Sequence, residues 1–108
     1  MRSIYTITSI NVKPGRFGEE VRSQRCFGFT FEKEGAFERV RENRGDIQEL
    51  LYEYCVIEEY EEGIQSLSET VQWFKWVETP ETHGSQMMGH WKECKVPSFA
   101  LSSYNWAF

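Results

Sequence analysis

The sequence has little of what several common classes of protein need. It holds two histidines, three prolines and three cysteines in 108 residues, and no apolar run approaches the length that crosses a bilayer. An odd cysteine count argues against a disulfide framework, and the N-terminus has no positively charged, apolar leader. We therefore expect a reduced, cytoplasmic protein with no role in a membrane.

The motifs of catalysis and of metal binding are also missing. The sequence has no nucleophile elbow and no glycine-rich phosphate loop, and its many carboxylates are spread out instead of paired. His83, His90 and Cys94 could be metal ligands, but no Cys-x-x-Cys or His-x-x-x-His pair supports zinc. We expect that the protein is not an enzyme and that it binds no metal and no cofactor.

Acidic residues outnumber basic residues after residue 31. The net charge is −5, and residues 32–62 hold four basic and eleven acidic groups, against five and two in residues 1–31. Binding to a DNA or RNA polymer or to an anionic membrane requires a broad basic surface, so neither is expected. A small anionic ligand needs only two or three well-placed cations and stays possible.

Aromatic residues, in contrast, are abundant. Eight Phe, five Tyr and four Trp are more rings than one small core accommodates, and the chain length of 108 residues fits a single domain over 1–108. The surplus rings predict an interface or a ligand pocket.

Alternation of apolar and polar residues predicts several strands. They are 4–12, 22–31, 52–60 and 70–79, with two short closing strands at 91–96 and 99–106. Pro14, Gly15 and Gly18 predict a mobile loop over 13–18 that ends strand pairing. The segment 80–90 is expected to be irregular.

The strand 52–60 is expected to be central because both of its faces are apolar. Alternation places Tyr52, Tyr54 and Val56 on one face, and Cys55 and Ile57 on the other. Both faces should therefore contact protein.

The segment 32–43 predicts the main helix. Thr30 is its expected N-cap, and Asn43 with Gly45 should end it. A further turn capped by Asp46 is expected over 46–51. The apolar stripe that would face the sheet is Ala36, Phe37 and Val40.

These elements predict a small α+β fold, with a mostly antiparallel sheet of four to five strands and one main helix packed on one face. A single helix covers only one face of such a sheet. The other face is expected to meet a second copy, either sheet on sheet or by exchange of C-terminal strands, in a homo-oligomer such as a dimer or tetramer.

Residues 73–76, Trp-Phe-Lys-Trp, carry the strongest local signal for a ligand. In a strand, Trp73 and Lys75 share one face while Phe74 and Trp76 share the other. An indole can stack on a base, and a nearby ammonium can hold a phosphate. The alternative is that the helix and another subunit simply cover both faces.

Two arginines of the second strand are further candidates. Arg25 shares its face with three phenylalanines and must find a phosphate or a carboxylate partner, and Arg22 lies nearby. Glu49, Glu53 or Glu59 could equally supply that carboxylate, so an ion pair and an anion site both stay open.

The order of these motifs resembles a known group of proteins. The matching stretches are 4–12, Arg25-Cys26-x-Gly28-Phe29, Gly45-Asp46-Ile47, Tyr54-x-Val56-Ile57-Glu58-Glu59, Gly63 and Trp73-Phe74-Lys75-Trp76. The chain resembles small phage and bacterial proteins that are similar to phage sponge proteins, which sequester cyclic nucleotide messengers of bacterial defence such as the CBASS signals. The resemblance covers residues 4–77 and weakens after Pro80.

The resemblance implies non-catalytic capture of a cyclic di- or trinucleotide at subunit interfaces of a homo-oligomer, in the host cytoplasm if a phage encodes the protein. Residue type and strand geometry then assign Arg25, Lys75 and Arg22 to phosphates, and Trp73, Trp76 and Tyr54 to base stacking. A different class, an acidic protein–protein inhibitor or interaction module of a defence system, is the alternative.

Overall fold

The computed structural model describes residues 3–49, 51–62, 67–78, 89–101 and 103–108. The strands are β1 (Ser3–Gly15), β2 (Gly18–Thr30), β3 (Tyr54–Glu61), β4 (Glu69–Glu78) and β5 (Gly89–Cys94). They form one open antiparallel sheet in the order β2-β1-β3-β4-β5. The helix α1 spans Lys33–Arg41, and a short 3-10 helix spans Ser98–Ala100. The predicted α+β class, a sheet with one main helix on one face, is confirmed.

β1 and β2 form a long hairpin, so the prediction of a mobile loop over 13–18 was wrong. Pairing continues through Pro14 opposite Glu19 to Gly15 opposite Gly18, which leaves two residues in the turn. Pro14 cannot donate a backbone hydrogen bond, but β1 pairs with β3 only from Ser3 to Ile10. The proline therefore lies where β1 is itself an edge strand, a position that tolerates it.

The N-cap residue of the helix lies two residues after the predicted one. Thr30 ends β2, and Glu32 is the N-cap residue. The Thr30 hydroxyl donates to the Glu32 carbonyl oxygen at 2.7 Å, so it fixes the strand-to-helix connection without capping the helix.

The predicted end of the helix is confirmed. Asn43 and Gly45 have φ values of +48° and +74°, in the left-handed region that ends helices. The next segment forms consecutive turns instead of a further helical turn. Within it the Asp46 carboxylate accepts a hydrogen bond from the Glu49 N–H at 3.2 Å, as a capping residue does, while Leu50 lies outside the described residues.

The helix packs against one face of the sheet. Ala36 and Val40 of the predicted stripe are fully buried, and Phe37 packs edge-to-face on Phe74 at 5.8 Å between ring centroids. We call this core the helix-side cluster. Its buried members are Ile7, Ala36, Val40, Ile47, Tyr52, Cys55, Ile57, Phe74 and Trp91.

Tyr52 belongs to this cluster, which corrects the prediction that it shares a face with Tyr54. β3 begins only at Tyr54, so strict alternation does not reach back to Tyr52. The predicted alternation holds within the strand itself, because Tyr54 and Val56 lie on one face while Cys55 and Ile57 lie on the other.

The opposite face of the sheet is covered by the C-terminal segment of the same chain. We call this core the tail-side cluster. Its buried members are Ile10, Val12, Tyr54, Val56, Trp73, Ala100 and Trp106, with Phe99 packed against them. Trp73 meets Phe99 and Trp106 edge-to-face at 5.8 and 5.7 Å.

The prediction of a closing strand at 99–106 was therefore wrong. The segment forms the 3-10 helix and turns, because its rings insert toward the sheet face instead of pairing along a sheet edge. The apolar sheet face that was predicted to contact a second copy is instead covered by the C-terminal segment of the same chain. The closing strand at 91–96 corresponds to β5, and the irregular segment 80–90 lies mostly outside the described residues.

A polar network also holds the C-terminal segment. Asn105 and Ser68 exchange two hydrogen bonds, from Ser68 N–H to Asn105 Oδ1 at 2.9 Å and from Asn105 N–H to Ser68 Oγ at 2.8 Å. The Ser68 hydroxyl in turn donates to the fully buried Glu58 carboxylate at 2.6 Å, and the Tyr60 hydroxyl donates to its other oxygen at 3.3 Å. The buried charge is thereby hydrogen-bonded, as burial requires.

No α-helix in the described part of the chain has the length and apolar character to cross a membrane.

We predict that Trp106→Ala lowers the free energy of unfolding by about 3–5 kcal/mol, the usual cost of truncating a buried tryptophan. Urea denaturation measures it. Leu101→Ala is the matched control because Leu101 lies in the same segment but is 74% exposed, and its effect should stay within about 0.5 kcal/mol. Equal stabilities of the Trp106 variant and the wild type would show that the tail contributes nothing to the core.

Candidate functional site

Three of the predicted ligand-binding residues lie on the tail side of the sheet. Trp73 and Tyr54 are 2% and 6% exposed, so both rings are part of the core. Lys75 is exposed, and its Nζ lies 5.7 Å from the centre of the Tyr54 ring. The Tyr54 hydroxyl donates to Glu19 Oε1 at 2.9 Å. Burial is the main cause that raises the pKa of Tyr54, followed by the Glu19 carboxylate, so this phenol stays neutral.

Trp76 lies on the other side of the sheet, as the alternation predicted. It packs against the helix-side cluster and meets Trp91 edge-to-face at 5.2 Å. Trp91 donates its indole N–H to Asn43 Oδ1 at 3.2 Å, which fixes the pair. The backbone of Gly89 lies directly against the Trp76 ring, where a Cβ atom would come within 2.6 Å of it.

Arg25 forms the ion pair that the sequence left open as an alternative. Its guanidinium binds the Glu49 carboxylate and lies 4.8 Å from the centre of the Phe27 ring. Its side chain is 58% exposed, so the charge is not buried. Arg22 is exposed in β2 at an irregularity of the pairing with β1.

Two of the six residues meet in a cleft of about 360 Å³ at the end of the sheet where β3 begins. We call it the Trp76 cleft. Its lining is Gln48, Leu51, Tyr52, Glu53, Lys75, Trp76 and Glu78. Tyr52 packs edge-to-face on Phe27, with 6.1 Å between the ring centroids. The Arg25 guanidinium lies over the Phe27 ring, so Phe27 lies between Arg25 and the lining of the cleft.

The charges of the cleft are mixed. Its lining includes two carboxylates, those of Glu53 and Glu78, and one ammonium, that of Lys75. Partial burial raises the pKa of Glu53, and the neighbouring Glu19 carboxylate raises it further, whereas Lys75 lowers it. A ligand in the cleft would therefore meet an aromatic wall, one positive charge and two groups that accept hydrogen bonds.

Sequence reasoning missed most of the lining of the cleft. The sequence assigns Tyr52 to a strand face and Glu53 only to a possible ion pair with Arg25, and it predicts no function for Leu51 and Glu78. Glu53 also lines a second cleft of about 370 Å³ beneath the β1–β2 hairpin, together with Lys13 and Glu19. Residues 51–53 lie beside residues 75–78 only because of the register between β3 and β4. A hydrogen bond of 2.9 Å from the Trp76 N–H to the Glu53 carbonyl oxygen fixes this register.

The described residues contain no group of three His, Cys, Asp or Glu side chains arranged to hold a metal ion. Of the candidate metal ligands, His90 and Cys94 lie in β5, and His83 lies outside the described residues.

Comparisons of the chain with protein-family models, with curated proteins and with solved structures found no match.

We predict that Arg25→Ala lowers the free energy of unfolding by less than about 1 kcal/mol, because exposed ion pairs contribute little. Thermal or urea unfolding of the variant measures the loss. Glu49→Ala removes the other partner and should have an effect of the same size. Loss of the folded state in Arg25→Ala would instead mean that this pair is a structural requirement of the sheet.

We predict that Glu53→Gln does not destabilise the protein at pH 7 and raises its melting temperature. The raised pKa means that the folded state disfavours the charged form of Glu53, so this destabilisation grows as the pH rises through the folded pKa. The gain should disappear near pH 3, where the wild-type carboxyl is protonated. Melting curves at both pH values test it, and a variant less stable than wild type at pH 7 contradicts it.

Proposed function

We propose that this protein is a non-catalytic binding protein that captures a cyclic oligonucleotide messenger, in the manner of a phage sponge protein. The observation that carries the proposal is the Trp76 cleft, in which Lys75 and Trp76 share one cavity of about 360 Å³. That volume is within the usual range of small-molecule sites.

Each part of the cleft suits a part of a nucleotide. The half-buried Trp76 ring offers surface for a base, and stacking on such a ring contributes about 1–3 kcal/mol per base. The Lys75 ammonium can bind a phosphate. The carboxylates of Glu53 and Glu78 can accept hydrogen bonds from the amino groups of a base.

The proposed site is smaller than the set of six residues. Trp73 and Tyr54 are buried members of the tail-side cluster, so a ligand cannot stack on their rings. Arg25 is placed to contribute from the rim, next to Phe27 and Tyr52, if a ligand displaces Glu49. Arg22 adjoins none of the groups that line the cleft.

We predict that one member of a panel of cyclic di- and trinucleotides binds the wild type, and that Lys75→Gln weakens this binding at least tenfold. A charged hydrogen bond is worth about 1.5–3 kcal/mol, and 1.4 kcal/mol corresponds to a factor of ten. Isothermal titration calorimetry measures the affinity, and melting curves show the stabilisation that a tight ligand produces.

The control for this experiment is Lys33→Gln, which removes the same charge from the exposed start of α1. It should leave the affinity unchanged. If no cyclic nucleotide binds or stabilises the wild type at micromolar concentration, the proposed function is wrong.

A second candidate, an acidic interaction module for a basic protein, is favoured by one observation. Glu34 and Glu38 are exposed and lie four residues apart on one side of the helix, so they form a short negative stripe. The exposed Glu42 at the C-cap continues this line but is paired with Arg44. This candidate gains support if nucleotides fail to bind and a basic partner binds the wild type but not a Glu34→Lys, Glu38→Lys variant.

A further inference from the structure

The β1–β2 hairpin extends well beyond the pairing of β1 with β3. The pairing of β1 with β3 ends at Ile10 opposite Tyr54, whereas its pairing with β2 continues for five more residues of β1 to Gly15. At about 3.4 Å per residue, this hairpin arm, residues 11–23, reaches roughly 17 Å past the last β1–β3 pair. Val12 and Val21 hold its base against the tail-side cluster.

The tip of the arm carries an apolar ring and a positive charge. Phe17 is 94% exposed, and the Arg16 guanidinium lies 5.7 Å from its ring centre. Within the described residues Arg16 takes part in no ion pair. An exposed aromatic ring beside an arginine is the residue combination found at the centres of protein interfaces.

The Trp76 cleft has the complementary chemistry. It offers the Trp76 ring and Leu51, which is 45% exposed, as apolar surface. Its two carboxylates exceed its one ammonium, so within one chain it carries excess negative charge. Such a site attracts a cation, and neutralising this excess strengthens its attraction for an anion.

The tip and the cleft lie at the same end of the molecule. The arm leaves the sheet at Ile10, beside the start of β3, and Glu78 at the end of β4 lies at that same end. Two copies related by a two-fold axis at this end can therefore exchange tips reciprocally. Such an isologous contact closes on itself and forms a dimer.

We infer that the Arg16–Phe17 tip of a second copy docks at the mouth of the Trp76 cleft. Phe17 packs against Leu51 at the rim and leaves the Trp76 ring to the ligand, and Arg16 neutralises Glu78. This contact deepens the proposed function and, for its effect on the ligand, rests on it: once Arg16 offsets a carboxylate, Lys75 can bind a phosphate in a site that two chains complete.

The first test is the mass of the protein in solution without any nucleotide, measured by size exclusion with light scattering. The wild type at tens of micromolar should be a dimer, and Phe17→Ser should be a monomer with unchanged urea unfolding. Leu101→Ser is the matched control because Leu101 is also exposed but lies in the tail, and it should stay dimeric. A monomeric wild type, or a dimeric Phe17→Ser variant, overturns the inference.

Charge reversal tests the polar half of the contact. Arg16→Glu should weaken the dimer at least tenfold, since it places a further carboxylate against Glu78. Adding Glu78→Arg to the same chain restores opposite charges and should recover most of the loss. A double variant no stronger than Arg16→Glu alone would overturn the contact between Arg16 and the cleft.

Nucleotide titration separates this inference from the proposed function. If the wild type binds a cyclic nucleotide, Phe17→Ser should weaken that binding at least tenfold. Unchanged binding by this variant would overturn the two-chain site while leaving the proposed function intact. A dimer that depends on Phe17 but binds no cyclic nucleotide would remove the proposed function and support the docking contact.

Discussion

The packing of the C-terminal segment on the sheet is the contact on which the rest of the structure depends. Trp106 and Phe99 meet Trp73 edge-to-face, and with Ala100 they bury the face of β1, β3 and β4 that α1 does not reach. Each of these rings buries a large apolar area, which is the dominant stabilising term in folding. Without this segment, one side of the central strands would be exposed to water.

This contact also decides which residues can take part in binding. The sequence favours Trp73 and Tyr54 as ligand-binding residues because they lie beside Lys75. In the structure their rings are buried against the C-terminal segment. The site that we propose is therefore at the end of the sheet, where Lys75, Trp76 and Glu53 line a cleft. The cleft exists because the chain before β3 turns away from the sheet, so that Tyr52 joins the helix side while Tyr54 joins the tail side.

The Trp76 cleft and the hairpin arm differ in charge. The cleft carries more negative than positive charge, and the hairpin arm ends in an exposed ring and an arginine. Covering the second sheet face within the chain removes the original reason for a partner there. The self-association that we propose has a different physical basis, which is the complementarity between the arm and the cleft at one end of the molecule.

The sequence by itself determined the main strands, the helix and the faces of the residues within the central strands. Alternation in 4–12 and 70–79 and the stripe of Ala36, Phe37 and Val40 depend on local periodicity, which the folded chain preserves. Tertiary structure decided the role of the tail, because an aromatic segment can pair as a strand or insert its rings, and only the available sheet face selects between them. It also decided the partner of Arg25 and the lining of the cleft, since both depend on the cross-strand register and on turns between strands, which single-chain periodicity does not encode.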